Sequence, residues 1–227
     1  MNEKSLLPDN TGEIPLKKYK NIVWDWNGTL LDDIAVSVKT LNRMLATRAL
    51  PPVTATAYRE RFGFPVRPYY ESLGFDLDTE GWGAISEEYV ALYRSLSREV
   101  ALTEGVRALL PAIRRAGIRQ YVLSALREDL LEAMLERFGI RPFFNGVCGV
   151  DNIHADGKIA RGREMLARCP ILPEESVMIG DTLHDAEVAT ALGLRARLYT
   201  GGHNSAERLQ RQGHAFHRMT DLLPELL

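Results

Sequence analysis

Several features that would assign this chain to a specialised class of protein are missing from its sequence. Only two of its 227 residues are cysteines, Cys148 and Cys169, so we expect two reduced thiols rather than a disulfide framework. No apolar run is long enough to span a bilayer, and no hydrophobic signal-peptide region follows Met1. We therefore expect a cytoplasmic protein with no membrane contact.

Charge of neither sign dominates. The 28 lysines and arginines nearly balance the 30 aspartates and glutamates, which gives a formal net charge of −2. Non-specific nucleic-acid binding favours a strongly basic face, so we expect no nucleic-acid partner. The sequence also lacks a glycine-rich loop of the Walker type and any cluster of cysteine and histidine, which argues against P-loop nucleotide chemistry and a zinc-type site.

The strongest positive feature lies between Asn21 and Asp33. Three apolar residues at 22–24 lead directly into Asp25, and a Gly-Thr turn follows at residues 28 and 29. An apolar run that ends in a carboxylate and such a turn is typical of a buried parallel strand. The strand would hold Asp25 at its C-terminal end, where open α/β sheets bind their ligands.

The residues before and after this strand differ in their pattern of apolar residues. Residues 1–19 show no periodicity, and we predict an N-terminal extension that is loosely packed or disordered. Residues 34–99 show helical spacing of apolar residues with no strand pattern, which predicts a helical insert of its own. The predicted helices of the insert cover about 34–45, 54–62, 66–73 and 82–96.

From residue 100 onward, strand patterns alternate with helix patterns. Alternation of this kind implies right-handed crossovers and a mostly parallel sheet with helices on both faces. We therefore predict an α/β, Rossmann-like core made of residues 20–33 and 100–227, interrupted by the insert. The predicted strands after the insert cover residues 118–123, 146–150, 176–179 and 195–199.

Polar side chains stand where these predicted strands end. Asp25 follows the first strand, Ser124 follows the second, Asp181 and Asp185 follow the fourth, and Lys158 opens the helix before that strand. Because parallel strands end at one edge of the sheet, these residues are expected to converge. A carboxylate nucleophile, an oxygen-only Mg²⁺ site, and a lysine and a hydroxyl that hold phosphoryl oxygens together favour phosphoryl transfer.

The same residues give the chain a resemblance to the haloacid dehalogenase-like hydrolase superfamily, in its phosphoglycolate phosphatase-like branch. Its four motifs occur in order over about residues 20–200. They stand here as Asp25-Trp26-Asn27-Gly28-Thr29, Ser124, Lys158, and Gly180-Asp181-Thr182-Leu183-His184-Asp185. The resemblance implies that the insert is a helical cap of the first-position (C1) type. It also implies a small phosphorylated substrate, with phosphoglycolate as the family-level expectation.

The resemblance further implies roles for individual residues. Asp25 would be the nucleophile and would carry an aspartyl-phosphate. Mg²⁺ would be bound by Asp25, the main-chain carbonyl of Asn27 and Asp181, with Asp185 supporting the ion directly or through water. Ser124 and Lys158 would hold phosphoryl oxygens.

Asn27 departs from the family pattern. Most phosphatases of the family have an aspartate there, which protonates the leaving group and activates the hydrolytic water. An amide cannot carry that proton, and general acid–base catalysis is typically worth ~10²–10⁴-fold. Esters with a poor leaving group, such as alkyl phosphates, should be affected most, whereas acyl, enol or aryl phosphates need little protonation.

Two alternatives to a phosphatase remain open at this point. Asn27 also fits a protein that binds phosphate and Mg²⁺ but turns over poorly, as a sensor or partner-binding module. Cleavage of a C–P or C–halogen bond is the less favoured alternative. The C–P branch uses a cap lysine, and the insert has only Lys39, close to its start.

The sequence leaves several residues with two interpretations. Asp32 and Asp33 are interpreted as capping residues of the first insert helix, with replacement of the missing acid as the less favoured role. Three arginines of the insert either reach an anionic substrate or lie on a solvated helix face: Arg59, Arg61 and Arg67. The oligomeric state is not predicted.

Overall fold

The chain folds around a parallel sheet, with a helical insert after its first strand. The structure is a computed structural model and describes residues 14–150 and 157–226. Its strands are β1 (Asn21–Trp24), β2 (Leu31–Asp32), β3 (Ala101–Leu102), β4 (Arg119–Arg127), β5 (Gly146–Val150), β6 (Ser176–Gly180), β7 (Arg195–Tyr199) and β8 (Ala215–Phe216).

Helices connect these strands and form the insert. Those of the insert are α1 (Ile34–Thr47), α2 (Ala55–Arg61), α3 (Val66–Ser72), α4 (Leu77–Glu80) and α5 (Trp82–Leu96). Those of the core are α6 (Val106–Arg115), α7 (Glu128–Arg137), α8 (Lys158–Arg168), α9 (Leu183–Ala191) and α10 (Ala206–Gln210). Short 3₁₀ helices cover Leu16–Lys18, Ser97–Glu99, Arg141–Phe143, Pro173–Glu175 and Met219–Leu226.

The main sheet places β1 at its centre. Across the described residues the strand order is β5-β4-β1-β6-β7-β8, and each neighbouring pair runs parallel. All four residues of β1 are buried, as expected for a strand covered by helices on both faces. Because β4 and β6 flank β1, residues that follow these three strands meet at one edge. The predicted α/β, mostly parallel core is confirmed.

A small second sheet joins the insert to the core. Strands β2 and β3 pair antiparallel, with Leu31 opposite Leu102 and Asp32 opposite Ala101. They hold the entry and exit of the insert side by side. The insert has its own apolar cluster, which includes Leu41, Tyr70 and Ile85. All four helices predicted for this region are present.

The structure also departs from the sequence prediction at several short elements. Strands β2, β3 and β8 and helix α4 were not predicted, because two to four residues carry too little periodicity to be recognised. Strand β4 was predicted to end before Ser124, but it continues to Arg127, with an irregular register after Leu123. The extension is held because Arg127 pairs with Val150 of β5.

The segment before β1 is better packed than predicted. Leu16 is fully buried and Tyr19 nearly so, both within the main apolar core. The Leu16 N–H donates to Glu225 Oε2 (3.1 Å), which ties the segment to the last 3₁₀ helix. The prediction of loose packing is therefore wrong for residues 14–19. Its remaining part, residues 1–13, lies outside the described residues.

Two expectations from the sequence concern membrane-spanning helices and the state of the two cysteines. No helix within residues 14–150 and 157–226 combines the length and apolar character needed to cross a membrane. Both cysteines are free thiols.

The packing of Leu16 predicts a matched pair of stability measurements. We expect Leu16→Ala to lower the free energy of unfolding by about 2–5 kcal/mol, because it opens a cavity in the core. Leu172, which is 52% exposed, provides the control, and Leu172→Ala should change stability by about 0.5 kcal/mol or less. Urea unfolding measures both. Equal effects of the two substitutions would contradict a packed N-terminal segment.

Candidate active site

A buried lysine links two carboxylates at the central edge of the sheet. Lys158, the first residue of α8, donates from Nζ to Asp25 Oδ1 at 2.5 Å and to Asp185 Oδ1 at 2.7 Å. All three side chains are at most 10% exposed. The preceding Gly157 has φ +82°, a left-handed conformation that favours glycine and turns the chain into the helix. Three sequence-predicted residues are thus in direct contact.

The turn between β6 and α9 positions Asp181 and Asp185. Asp185 Oδ2 accepts from the N–H groups of Asp181 (3.1 Å) and Thr182 (2.9 Å) and from the Thr182 hydroxyl (2.7 Å). The Asp185 N–H donates in turn to the Thr182 hydroxyl oxygen, which completes a capping box at the start of α9. Asp181 Oδ1 accepts from the Thr29 hydroxyl at 2.6 Å. Gly28 (φ +73°) lies so close to Asp181 that a Cβ added at this residue would be only 2.3 Å from Asp181 Oδ2.

The acids form one oxygen-rich cluster. One carboxylate oxygen from each of Asp25, Asp181 and Asp185 lies within 4.8 Å of the others, and all three residues are buried. Three carboxylates against the single ammonium of Lys158 leave an excess of negative charge. Such a donor set suits a hard divalent cation.

The pKa values reflect this excess of charge. Burial raises the pKa of Asp25 well above its usual range, and the lowering by Lys158 is opposed by Asp185 and Asp181. Burial also raises the pKa of Asp181 to about 6. For Asp185, burial is outweighed by Lys158 and the Thr182 hydrogen bonds, so its pKa is lowered. A divalent cation would offset the cost of ionising Asp25 and Asp181, and the residues therefore fit Mg²⁺.

Asn27 is held by a second buried acid. Its Nδ2 donates to Asp33 Oδ2 at 2.8 Å and lies 3.1 Å from the Tyr93 hydroxyl, which itself donates to Asp33 Oδ2 at 2.7 Å. Asp33 Oδ1 accepts from the Gly28 N–H at 2.8 Å. The interpretation of Asp33 as a helix cap is wrong for its side chain, which makes no capping hydrogen bond to α1. It holds the first-motif loop instead, while Asp32 is exposed.

His203 was not identified from the sequence. Its ring Nε2 lies 3.3 Å from Asp33 Oδ1 and its ring Nδ1 lies 2.9 Å from the Tyr58 hydroxyl. Its main-chain N–H donates to Asp181 Oδ2 at 2.6 Å. Burial alone would lower its pKa, but Asp33 and the other acids raise it to about 9. Its position just after β7, at the ligand-binding edge, was the available indication.

A cavity of about 380 Å³ opens onto this cluster. Asp25, Asn27, Ser124, Lys158 and Asp185 all line it. Ser124 is 1% exposed, and its Oγ also accepts the Leu126 N–H at 3.1 Å. The structure therefore brings these five sequence-predicted residues to one cavity lined by the core and the insert, whereas Asp181 is fully buried and lies outside the cavity lining.

The insert arginines contact protein groups. Arg59 Nε donates to the Gly202 carbonyl at 2.9 Å, which joins α2 to the loop that carries His203. Arg61 donates to the Ser72 carbonyl and hydroxyl. Arg67 pairs with Glu71 at 3.1 Å. The cavity lining contains none of these three arginines in the described part of the chain.

Comparison with known proteins identifies the family. A family model described as haloacid dehalogenase-like hydrolase matches residues 22–198. A phosphoglycolate phosphatase from Caulobacter vibrioides is 30% identical over 190 residues, which cover 80% of this chain and 79% of that protein. The chain belongs to the haloacid dehalogenase-like hydrolase family. The resemblance predicted from the four motifs is confirmed.

Two further relatives of this hydrolase are informative. A haloacid dehalogenase-like hydrolase from Streptococcus pneumoniae matches with a TM-score of 0.78 over 92% of this chain and 99% of that one, and at 21% identity it shows a shared fold. A tyrosine-protein kinase from Mycobacterium tuberculosis is 27% identical over 192 residues, which cover 82% of this chain. Those residues span 64% of the kinase.

The buried pair of His203 and Asp33 predicts how the stability of the hydrolase depends on pH. A histidine pKa of about 9 in the folded state lies above the ordinary value of a histidine, about 6.5. The contribution of this ion pair to the free energy of unfolding is therefore complete below pH 6.5 and is lost as the pH rises through 9. In metal-free buffer, wild type should lose about 2 to 3 kcal/mol more between pH 6.5 and 9 than His203→Gln does.

Urea unfolding at the two pH values measures this difference. His217 is exposed, and His217→Gln serves as the control that should keep the wild-type dependence. An unchanged pH dependence in His203→Gln would show that no such ion pair exists in solution.

Proposed function

We propose that this protein is an Mg²⁺-dependent phosphatase that hydrolyses a small phosphomonoester through a phosphoryl group on Asp25. One observation carries the proposal. The buried Asp25 stands at the end of the central strand, bound by Lys158 and within 4.8 Å of two further buried acids, at a cavity that can hold a substrate. Phosphatases among the relatives support the same activity.

The chemistry proceeds in two displacements. An Asp25 oxygen bonds to phosphorus while the ester P–O bond breaks and the leaving oxygen departs with the electron pair. Water then attacks phosphorus, the bond to Asp25 breaks, and inorganic phosphate is released. Lys158 and the Ser124 hydroxyl would bind the phosphoryl oxygens and hold them for attack. Mg²⁺, bound by Asp25, the Asn27 main-chain carbonyl and Asp181 with support from Asp185, would neutralise charge on the phosphoryl group.

Asn27 limits the proton transfers that accompany these displacements. Its NH₂ group is engaged by Asp33 and Tyr93, which leaves the side-chain oxygen for the reaction. That oxygen can orient a water molecule but cannot take its proton. We therefore expect slow turnover of esters whose leaving group must be protonated.

The alternatives receive less support. A sensor or binding module rests on Asn27 alone, whereas the contacts among Asp25, Lys158 and the neighbouring acids support a catalytic site. Carbon–phosphorus cleavage would need a lysine over the site, and Lys39 is exposed on α1. A dehalogenase does not need Asp181 and Asp185. The phosphoglycolate phosphatases among the relatives make phosphoglycolate the first ester to test.

Release of inorganic phosphate from alkyl, acyl and aryl phosphates tests the function. Wild type with Mg²⁺ should release phosphate from at least one class, and either EDTA or Asp25→Asn should abolish the release. Asp32→Asn alters an exposed neighbouring acid and should retain activity, which controls for a general effect of charge. Equal release by wild type and Asp25→Asn on every ester would refute the proposal.

A further inference from the structure

The cavity beside Asp25 is walled by aromatic and aliphatic side chains. Rings from the insert line one side, among them Tyr58, Phe62, Tyr69, Tyr70 and Tyr89. They pack on one another, with ring centroids 4.9 Å apart for Tyr58 and Phe62 and 5.8 Å apart for Tyr58 and Tyr69. A volume of about 380 Å³ falls at the lower end of the range of small-molecule pockets, ~300–1,000 Å³. A two-carbon acid would leave most of this apolar surface without a partner.

The core also contributes apolar residues to the cavity lining. Leu126, Leu130 and Met134 line it, and all three are half-buried. Leu130 and Met134 lie one turn apart on α7, which follows the strand that carries Ser124. The cavity beside Asp25 is therefore lined by apolar side chains of both the insert and the core.

Cations that could receive a substrate carboxylate are already bound or exposed. Lys158 is shared by Asp25 and Asp185, and His203 is paired with Asp33. Arg127 forms two hydrogen bonds with Asp129, at 2.6 and 2.7 Å. Arg137 donates to two main-chain carbonyls, and Arg94 is exposed on α5. Arg94, Arg127 and Arg137 contribute to the cavity lining, but each is either bound to protein groups or exposed to solvent. Burying a carboxylate among the aromatic rings of the insert would therefore be unfavourable.

One buried hydroxyl in the wall has no hydrogen-bond partner among the described residues. Tyr69 is 5% exposed, lines the cavity, and its hydroxyl makes no hydrogen bond there. Buried hydroxyls are normally paired. A ligand with a polar substituent on its ring would satisfy this group.

The chemistry of the site points to the same kind of ligand. With Asn27 in place of an acid, the leaving group departs as an unprotonated oxyanion. The reaction therefore favours a leaving group whose conjugate acid has a low pKa. Phenols ionise near pH 10, as tyrosine does, and alcohols ionise several units higher. A phenolate is therefore a leaving group that this site can expel, and its ring matches the cavity.

We propose that the substrates are aryl phosphomonoesters, with the ring of the phenol seated between the insert and α7. The proposal rests on the phosphatase function proposed above and specifies its substrate class. The ester P–O bond breaks, the phenolate leaves, and it takes a proton from water.

Four esters separate ring recognition from leaving-group acidity. Phenyl phosphate has both properties, benzyl phosphate has a ring on an alkyl oxygen, acetyl phosphate has a good leaving group without a ring, and 2-phosphoglycolate has neither. We expect kcat/KM for phenyl phosphate to exceed that for 2-phosphoglycolate by at least ~100-fold, and to exceed that for acetyl phosphate. Benzyl phosphate should show a kcat/KM at least ~100-fold below that of phenyl phosphate, and it should inhibit phenyl phosphate hydrolysis competitively because its ring binds in the same cavity.

Three variants test leaving-group acidity and ring recognition separately. Asn27→Asp should raise kcat/KM for benzyl phosphate by more than it raises kcat/KM for phenyl phosphate, because kcat/KM reports the step that expels the leaving group. Val90 lines the cavity from α5, and Val90→Gln should raise KM about 10-fold for both ring esters but not for acetyl phosphate. Ala91 is exposed beside it and outside the cavity lining, so Ala91→Gln should match wild type. Circular dichroism establishes that each variant is folded.

The outcomes distinguish this proposal from the function on which it rests. If release depends on Asp25 and Mg²⁺ but 2-phosphoglycolate or acetyl phosphate is the better substrate, the aryl class is wrong and the phosphatase function stands. If no ester is hydrolysed above the Asp25→Asn blank, the phosphatase function fails, and the substrate class fails with it. The order of the four esters with wild type decides the question even if Val90→Gln does not fold.

Discussion

The burial of several carboxylates at one sheet edge is the constraint on which the rest of the site depends. Asp25, Asp181 and Asp185 are all removed from water within a few ångströms of one another, and their repulsion must be offset. Lys158 supplies an ammonium that touches two of them, the Thr29 hydroxyl donates to Asp181 Oδ1, and the Thr182 N–H and hydroxyl donate to Asp185 Oδ2. The negative charge that remains is what we expect a divalent cation to neutralise.

A second charged pair connects this cluster to the insert. Asp33 lies between Asn27 and His203, and His203 in turn contacts Tyr58 of α2. Tyr93 of α5 binds Asp33 from the other end of the insert. The loop that presents Asn27 is therefore positioned jointly by core and insert. This arrangement explains how one substitution in the first motif can be accommodated without disturbing Asp25, since Asn27 has donors that Asp33 accepts.

The sequence predicted the parts of the molecule that depend on local pattern. The apolar run before Asp25, the strand–helix alternation after residue 100 and the apolar spacing of α1 and α5 each fix an element without knowledge of its neighbours. Motif order then placed Ser124, Lys158, Asp181 and Asp185 at one edge. His203 and the true role of Asp33 could not be found this way, because both depend on contacts between segments distant in the chain. The packing of Leu16 against the C-terminal 3₁₀ helix could not be predicted for the same reason.

The central claim is that Asp25 carries the phosphoryl group during turnover, and trapping that group tests it most directly. Because Asn27 cannot activate water as a base, hydrolysis of the phospho-enzyme should be slow enough for it to accumulate. Wild type mixed with Mg²⁺ and its best ester, quenched in acid and digested, should yield a peptide spanning residues 21–33 that is heavier by one phosphoryl group. Asp25→Asn should yield none. Phosphate release by wild type with that peptide unmodified throughout turnover would contradict the account.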